Sequence, residues 1–258
     1  MKHLYVFFLI SAIIIGTGCK SGDIAREEGT YKLADGSKYV GQWLKGKPDG
    51  RGTAYFKDGS TYAGEWHEGK RNGQGVYNFS NGVKYEGSFV NDVRHGNGSY
   101  YFKNGSTFTG EFVNGKMGEK GMLRTSQNDI YTGSFKDGAF HGKGVFKHHG
   151  GNKYEGEFVN GVKAGAGTLY FKSGDKYEGE FKNNTMHGDG TYYTAGGDKY
   201  VGTFENGTIK GTGVYYYASG DRYEGGFNNG TLHGNGVYYY KNGTVRKGRW
   251  INGVAVDR

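Results

Sequence analysis

The chain has 258 residues but only one cysteine, Cys19, and only one proline, Pro48. A single cysteine excludes an intramolecular disulfide, so the fold must be stabilised by non-covalent packing. Aliphatic side chains are also scarce, whereas glycine, tyrosine and phenylalanine occur 52, 23 and 16 times. This composition cannot fill a thick aliphatic core. It suits a thin sheet in which aromatic rings lie over bare glycine backbone.

The sequence also lacks a hydrophobic run long enough to cross a bilayer. The N-terminal apolar run from Leu4 to Ile15 has about 12 residues, whereas a spanning helix needs about 20. Lys2 and His3 precede this run, an arrangement that is typical of a secretory signal. We therefore predict that residues 1–18 are a signal peptide and that the protein is exported.

Cys19 follows the apolar run after a short stretch of small residues that begins at Gly16. The segment resembles the lipobox of bacterial lipoproteins, although leucine is usual where this chain has Gly16. The resemblance implies cleavage before Cys19, lipid attachment to its sulfur, and a membrane-anchored protein in the periplasm or on the cell surface. The alternatives are an ordinary secretory signal, an uncleaved anchor, or a free cysteine. Residues 19–29 are predicted to be a tether between the membrane and the rest of the chain.

A period of 23 residues runs through the remainder of the chain. Each of ten copies has a glycine two places after its first position and an aromatic residue four places after it. A fixed period in this range indicates one small structural unit stacked in a row. The first positions are Tyr39, Tyr62, Tyr85, Phe108, Tyr131, Tyr154, Tyr177, Tyr200, Tyr223 and Arg246.

Each copy contains two segments with a period of two, which is the period of a β-strand. In residues 153–158, Tyr154, Gly156 and Phe158 share one face, and the charged residues between them share the other. Asn-Gly and Asp-Gly pairs separate the segments and predict two-residue turns with positive φ. We therefore expect an all-β, elongated, single-layer antiparallel meander of about ten β-hairpin repeats over residues 30–258. It should be an open twisted ribbon.

The unit at residues 154–161, continued by the glycines of 165–167, resembles a MORN (membrane occupation and recognition nexus) repeat. Residues 62–75 match that pattern more closely still. The resemblance covers about residues 30–258 and is weakest in the fourth copy, where Glu119 replaces a glycine. It implies a β-hairpin array used for scaffolding, dimerisation or membrane association, and it does not imply catalysis.

Candidate sites for chemistry are few. His95, His141, His187 and His233 recur every 46 residues, so about 19 Å of sheet separates successive members. Zinc ligands lie about 2 Å from one ion, so these histidines cannot share a metal, and we interpret them as polar turn residues. The pair at residues 148–149 has no cysteine partner and no acidic cluster near it in sequence. We predict no catalytic residue, no cofactor site and no metal site, and we predict that the protein is not an enzyme.

The polar face carries a column of tyrosines that is the candidate interaction surface. Lysines lie two residues beyond several of them, and glutamates nearby are interpreted as members of cross-strand ion pairs. Such a row could receive a protein, a lipid headgroup layer or a sugar, or it could only stabilise the sheet. The tyrosines are Tyr55, Tyr101, Tyr170, Tyr193, Tyr216 and Tyr239, and the lysines are Lys57, Lys103, Lys172 and Lys241.

These features predict a non-enzymatic, lipid-anchored scaffold outside the cytoplasm that mediates protein or membrane-surface interaction. An envelope carbohydrate-binding protein that uses the aromatic face is the alternative. The partner is an unknown protein or glycan rather than a nucleic acid, despite a formal net charge of +8. Arg246, Lys247 and Arg249 should discourage pairing at the last strand. We therefore expect a monomer, or a weak dimer through the first edge strand near residues 30–33 or through the tyrosine face.

Overall fold

The computed structural model describes residues 25–256, so the predicted signal peptide and Cys19 lie outside the described part. Residues 25–256 form one sheet of 21 strands, in which each strand pairs antiparallel with its neighbours in chain order. β1 lies at one edge and β21 at the other, so the predicted open single-layer meander is confirmed. Within this part of the chain, no helix is long and apolar enough to span a membrane.

From β2 to β19, each repeat supplies a seven-residue strand followed by a nine-residue strand, and the last pair, β20 and β21, has seven and two residues. The strands are β1 Glu27–Lys32, β2 Lys38–Leu44, β3 Lys47–Tyr55, β4 Thr61–His67, β5 Lys70–Asn78, β6 Lys84–Val90, β7 Val93–Tyr101, β8 Thr107–Val113, β9 Lys116–Arg124, β10 Ile130–Lys136, β11 Ala139–Lys147, β12 Lys153–Val159, β13 Val162–Tyr170, β14 Lys176–Lys182, β15 Thr185–Tyr193, β16 Lys199–Glu205, β17 Thr208–Tyr216, β18 Arg222–Asn228, β19 Thr231–Tyr239, β20 Val245–Ile251 and β21 Val254–Ala255.

A ladder of glycines runs across the middle of the sheet. In every neighbouring pair from β1 to β20, a glycine of one strand is the register partner of a glycine of the next. The Tyr154 ring lies over this ladder, since a β-carbon at Gly167 would be only 2.5 Å from Tyr154 Oη and 2.6 Å from Cε2. The expected packing of rings against bare backbone is therefore confirmed.

The core is a continuous line of rings on one face of the sheet. Tyr154 is 1 % exposed and meets Phe158 of its own repeat edge-on, with ring centroids 5.2 Å apart. It meets Phe181 of the next repeat in the same way at 4.8 Å. Edge-to-face contacts of this kind are favourable for aromatic pairs. Each ring therefore joins two repeats, and no thick aliphatic core is needed.

The turns within each repeat have the predicted geometry. Asn114 and Gly115 both have positive φ, at 49° and 80°, as a two-residue turn matched to strand twist requires. Asp92 and Asn184 occupy the second position of such turns with φ of 70° and 68°. Asparagine and aspartate tolerate this left-handed region better than other non-glycine residues, so their substitution for glycine is accommodated.

The turns between repeats differ from the prediction. The Phe56 carbonyl accepts the Gly59 N–H at 3.1 Å, and the Phe56 N–H donates to the Ser60 carbonyl at 2.9 Å. Three residues, 57–59, therefore form the loop, and only Gly59 has a positive φ. The physical reason is that an Asp58 carboxylate oxygen accepts the Ser60 N–H at 2.9 Å, which favours an ordinary conformation at Asp58. The prediction of two-residue turns was wrong for these connections.

Both edges of the sheet extend beyond the predicted limits. β1 begins at Glu27, inside the segment predicted as a tether, and Gly29 joins the glycine ladder opposite Gly41. At the other end, β21 pairs with the end of β20, and the Val256 N–H donates to the Arg249 carbonyl at 2.8 Å. Part of β20 is therefore covered by the chain itself, in addition to the positive charges that were expected to protect it.

Candidate functional site

The six tyrosines of the predicted column lie on the face opposite the buried rings. Tyr55 and Tyr216 are 47 % and 37 % exposed, and the other four are half-buried. Lys57 and the lysines equivalent to it do not flank these rings, because they lie in the turns that follow the strands. Other cations, on the paired strands, contact the tyrosines instead.

The strand register builds these cations and tyrosines into one row, which we call the lysine–tyrosine ladder. From β12 to β19, every strand contributes one member, and successive members are register partners. Seven strand spacings of about 4.8 Å give the row a length of about 34 Å. Its members are Lys153, Tyr170, Lys176, Tyr193, Lys199, Tyr216, Arg222 and Tyr239.

Each tyrosine of the ladder has a cation against its ring. The Lys153 ammonium lies 4.0 Å from the centroid of the Tyr170 ring, and the Lys199 ammonium lies 4.4 Å from that of Tyr216. The other two pairs, Lys176 with Tyr193 and Arg222 with Tyr239, are equally close, at 4.3 Å each. These distances are within the range of cation–π attraction, which begins at about 6 Å. The two isolated tyrosines of the column have similar partners, with Lys84 at 4.0 Å from Tyr101 and a longer contact at Tyr55.

Glutamates neutralise most of the ladder cations. Lys176 Nζ lies 2.8 Å from a carboxylate oxygen of Glu178, and this bond raises the pKa of Lys176 and lowers that of Glu178. Equivalent pairs form at Lys153 and Arg222. The partners lie two residues apart on one strand, so the predicted cross-strand pairing was wrong. At Lys199 the acid is replaced by Val201, and this cation has no carboxylate two residues along.

A shallow groove of about 800 Å³ runs beside the ladder over the glycine backbone. It is lined by residues of β10 to β14, including Glu155, Thr168 and Glu180. Gly156 and Gly167 of the glycine ladder also line it. The ladder and the groove together form an extended polar surface, with the cations and tyrosines along the ladder and carboxylates beside glycine backbone in the groove.

The histidines at 46-residue spacing are in strands rather than in turns, so their interpretation as turn residues was wrong. His95 lies in β7, and the other three lie in β11, β15 and β19. The within-repeat turns contain only two residues, so the histidines fall on the strand side of them. The Nδ1 atoms of His141, His187 and His233 are buried without a hydrogen-bond partner, and the His187 carbonyl accepts the Tyr177 hydroxyl at 3.3 Å.

The histidine pair at residues 148–149 has an acidic neighbour that the sequence order hides. Asp129 lies in the preceding inter-repeat turn, and its Oδ1 is 2.8 Å from His149 Nδ1 and 3.9 Å from His148 Nε2. The backbone N–H of His149 donates to the same oxygen at 2.8 Å, and this bond contributes most to a lowered pKa of Asp129. Among the described residues, this is the one group of three whose side chains could hold a metal ion.

The MORN repeat profile matches the chain in nine consecutive segments, at residues 39–61, 62–84, 85–107, 108–129, 131–153, 154–176, 177–199, 200–222 and 223–245. A search of curated proteins found no significant match.

Among solved structures, the fold is similar to the TCP10 domain of Danio rerio CPAP in complex with a peptide of Danio rerio STIL. That likeness has 12 % identity and a TM-score of 0.45 over 86 % of this chain and 93 % of the other. The TCP10c domain of Drosophila melanogaster Sas-4 has 10 % identity and a TM-score of 0.36 over 59 % of this chain and 91 % of the other. These scores support no functional conclusion, whereas the nine matched segments cover most of the sequence. The chain belongs to the MORN repeat family.

Proposed function

We propose that this protein is a non-enzymatic scaffold, exported and anchored to a membrane through a lipid on Cys19, that docks an acidic protein partner on the lysine–tyrosine ladder. The observation that carries the proposal is the ladder itself, with four cations and four tyrosines in one row. Tyrosine and arginine are enriched at the energetic centres of protein interfaces. A row held by strand pairing presents both with little loss of side-chain freedom on binding.

The charge pattern along the row favours an acidic partner. Lys199 has no glutamate two residues along, so its charge is less neutralised than those of Lys176 and Arg222. Tyr216 beside it is the most exposed ring of the ladder. A carboxylate of a partner placed here could pair with the ammonium group while an apolar side chain packs on the ring. The pair therefore forms the proposed centre of the interface.

The same contacts weigh against the carbohydrate alternative. A sugar stacks on a free aromatic face, and the ladder rings already have cations against them at 4.0 to 4.4 Å. Each cation leaves less of the ring free for a sugar, whereas an acidic protein partner can also pair with the cation itself. Specific retention of the protein on a glycan array or on peptidoglycan, lost on Tyr216→Ala, would favour the carbohydrate function over protein docking.

The docking proposal can be tested by photo-crosslinking in cells. A photoreactive phenylalanine analogue at Tyr216 should give discrete protein adducts, and the same analogue at the exposed turn residue Ser219 should not. Lys199→Glu should abolish the adducts, whereas Lys182→Glu makes the same charge change outside the ladder and should retain them. Equal adducts at Tyr216 and Ser219, or no loss on Lys199→Glu, would contradict a docking role for the ladder.

The anchor is tested separately. Cells fed a radiolabelled fatty acid should label the wild-type protein, and Cys19→Ala should be unlabelled and should leave the membrane fraction. If both chains partition and migrate alike, the proposal of a lipid anchor is wrong. The docking proposal is then tested by the crosslinking result alone.

A further inference from the structure

The cluster formed by Asp129, His148 and His149 is built on a bond that other repeats share. An acid directly after one inter-repeat loop accepts the backbone N–H of the first residue of the next inter-repeat loop. This bond measures 2.8 Å from His149 N to Asp129, 2.7 Å from Ala195 N to Asp175 and 2.8 Å from Ala218 N to Asp198. The position of the Asp129 carboxylate is therefore fixed by the repeat, independently of the histidines.

Asp129 lacks the tyrosine partner that the equivalent aspartates of later repeats have. In later repeats the second carboxylate oxygen accepts a tyrosine hydroxyl, at 2.9 Å from Tyr192 to Asp175 and at 2.8 Å from Tyr215 to Asp198. The residue at the tyrosine position that faces Asp129 is Phe146, which has no hydroxyl to donate. Asp129 therefore accepts no tyrosine hydroxyl at its second carboxylate oxygen, unlike Asp175 and Asp198.

Two imidazoles stand where the other turns have smaller or non-ligating side chains. The ring centroids of His148 and His149 are 4.2 Å apart, and one nitrogen from each ring and a carboxylate oxygen of Asp129 lie within 4.8 Å of one another. Both histidine side chains are nearly half exposed, at 45 % and 47 %, whereas that of Asp129 is 13 % exposed. The two exposed rings can therefore rotate toward an ion that the fixed Asp129 carboxylate binds.

We propose that Asp129, His148 and His149 bind a divalent transition-metal ion of the zinc class and link two consecutive inter-repeat turns. Two imidazole nitrogens and one carboxylate oxygen are a donor set that suits zinc, nickel, cobalt and copper(II). For ligands about 2.0–2.2 Å from zinc, the donor atoms need to approach to about 3.3 Å from one another. Rotation of the exposed rings supplies that movement. Three protein ligands leave a further coordination position for water or for a group on a partner.

Loading the ion changes the protons of both rings. His149 Nδ1 lies 2.8 Å from Asp129 Oδ1 and donates to it when the ring is neutral, so coordination through Nδ1 requires this proton to move to Nε2. His148 Nδ1 accepts the Gly150 N–H at 2.9 Å. Coordination through Nε2 requires the His148 proton to move to Nδ1, so the Gly150 amide loses this acceptor. The Gly150 amide resonance is therefore a local reporter of metal binding.

One of the two linked turns directly follows β9, the strand that departs most from the repeat pattern. Glu119 stands in β9 where the equivalent positions of the other repeats have glycine with positive φ, and it has no register partner in β10, unlike Gly142 and Phe158 in the next pair. A metal bridge from the β9–β10 turn to the β11–β12 turn would stabilise this region. Binding to the folded state alone raises the stability of that state.

The test is calorimetric titration of zinc sulfate into the full-length chain in detergent, with cobalt as a spectroscopic probe. Equivalent positions in other repeats show which residues can replace the three proposed ligands. Asp129→Asn keeps the turn bond, since Asn152 makes it to Lys172 at 2.9 Å. His149→Ala and His148→Thr introduce the residues that Ala195 and Thr194 place at the same turn positions. The control is His67→Ala, because His67 also pairs with an aspartate, at 3.2 Å, but in a group of only two.

We expect one equivalent of zinc, with the visible bands of a coordinated cobalt ion and a shift of the Gly150 amide. Each of the three ligand substitutions should weaken binding at least tenfold, and His67→Ala should leave it unchanged. Zinc should raise the urea midpoint of the wild type but not that of Asp129→Asn. Absence of binding up to millimolar zinc would overturn the proposal. Equal affinity for the wild type and the His148→Thr/His149→Ala double variant would do so too, as would a loss confined to His67→Ala.

Discussion

The contacts of the glycine ladder predict that a single methyl group added at Gly167 will destabilise the fold. A β-carbon at Gly167 would lie 2.5, 2.6 and 2.7 Å from Oη, Cε2 and Cζ of Tyr154, and the φ of Gly167 lies outside the left-handed region. Gly167→Ala therefore tests packing rather than backbone strain. Ordinary contacts need about 3.5–4.0 Å, so the Tyr154 ring must move by about 1 Å.

The ring has little room for that movement. It is 1 % exposed and is held edge-on between Phe158 and Phe181, at 5.2 and 4.8 Å. Overpacking of a close-fitting core costs about 1–3 kcal/mol, and we expect Gly167→Ala at about 2–3 kcal/mol, because both neighbouring rings must shift with Tyr154. Urea unfolding followed by circular dichroism measures the difference as a lower midpoint.

Two variants separate this mechanism from a general effect of alanine. Gly196→Ala places its methyl group 3.7 Å from the nearest atom, Thr194 Oγ1, and should change stability by less than about 0.5 kcal/mol. In a Tyr154→Ala background the obstructing ring is gone, so Gly167→Ala should then cost little, and the two substitutions should be strongly non-additive. Overpacking is refuted as the cause if Gly167→Ala costs no more than Gly196→Ala, or if its cost is the same with and without the Tyr154 ring.

Three further predictions concern the whole array. Phe158→Ala, which removes edge-on contacts to Tyr131 of the preceding repeat and to Tyr154 of its own, should cost about 3–5 kcal/mol and more than Trp250→Ala, which removes the contact to Tyr223 at the end of the array; equal urea midpoints would contradict this. Burial raises the pKa of Tyr154 and Tyr177 to about 12, whereas unfolded tyrosine titrates near 10. Because the folded values are higher, the stabilisation is complete below pH of about 10 and is lost as the pH rises toward 12, so urea midpoints that stay constant across this range would be inconsistent with buried phenols. Sedimentation of residues 20–258 should show an elongated monomer or weakly associating dimer, and a compact frictional ratio would exclude the ribbon.

The sequence by itself determined the repeat, the strands and the role of glycine. These follow from local rules: side chains alternate along a strand, and a glycine two places from a tyrosine leaves space for its ring. Gly167 and Tyr154 could be placed together because the period fixes which positions meet in neighbouring hairpins. The within-repeat turns were predictable for the same reason, since their Asn-Gly pairs specify their own backbone conformation.

Only the tertiary structure decided which side chains meet between strands. Lys153 contacts Tyr170, and Asp129 contacts His149, across 17 and 20 residues of chain. The contact between Lys153 and Tyr170 depends on the register of β12 and β13, which shifts at a bulge between Gly156 and Glu157, and the contact between Asp129 and His149 depends on the length of the inter-repeat loops. A turn with one more residue shifts the register of everything beyond it, so the partners of a cation or a carboxylate cannot be read from sequence spacing. The lysine–tyrosine ladder and the aspartate–histidine cluster therefore exist because of how the hairpins pair, although each of their residues is plainly visible in the sequence.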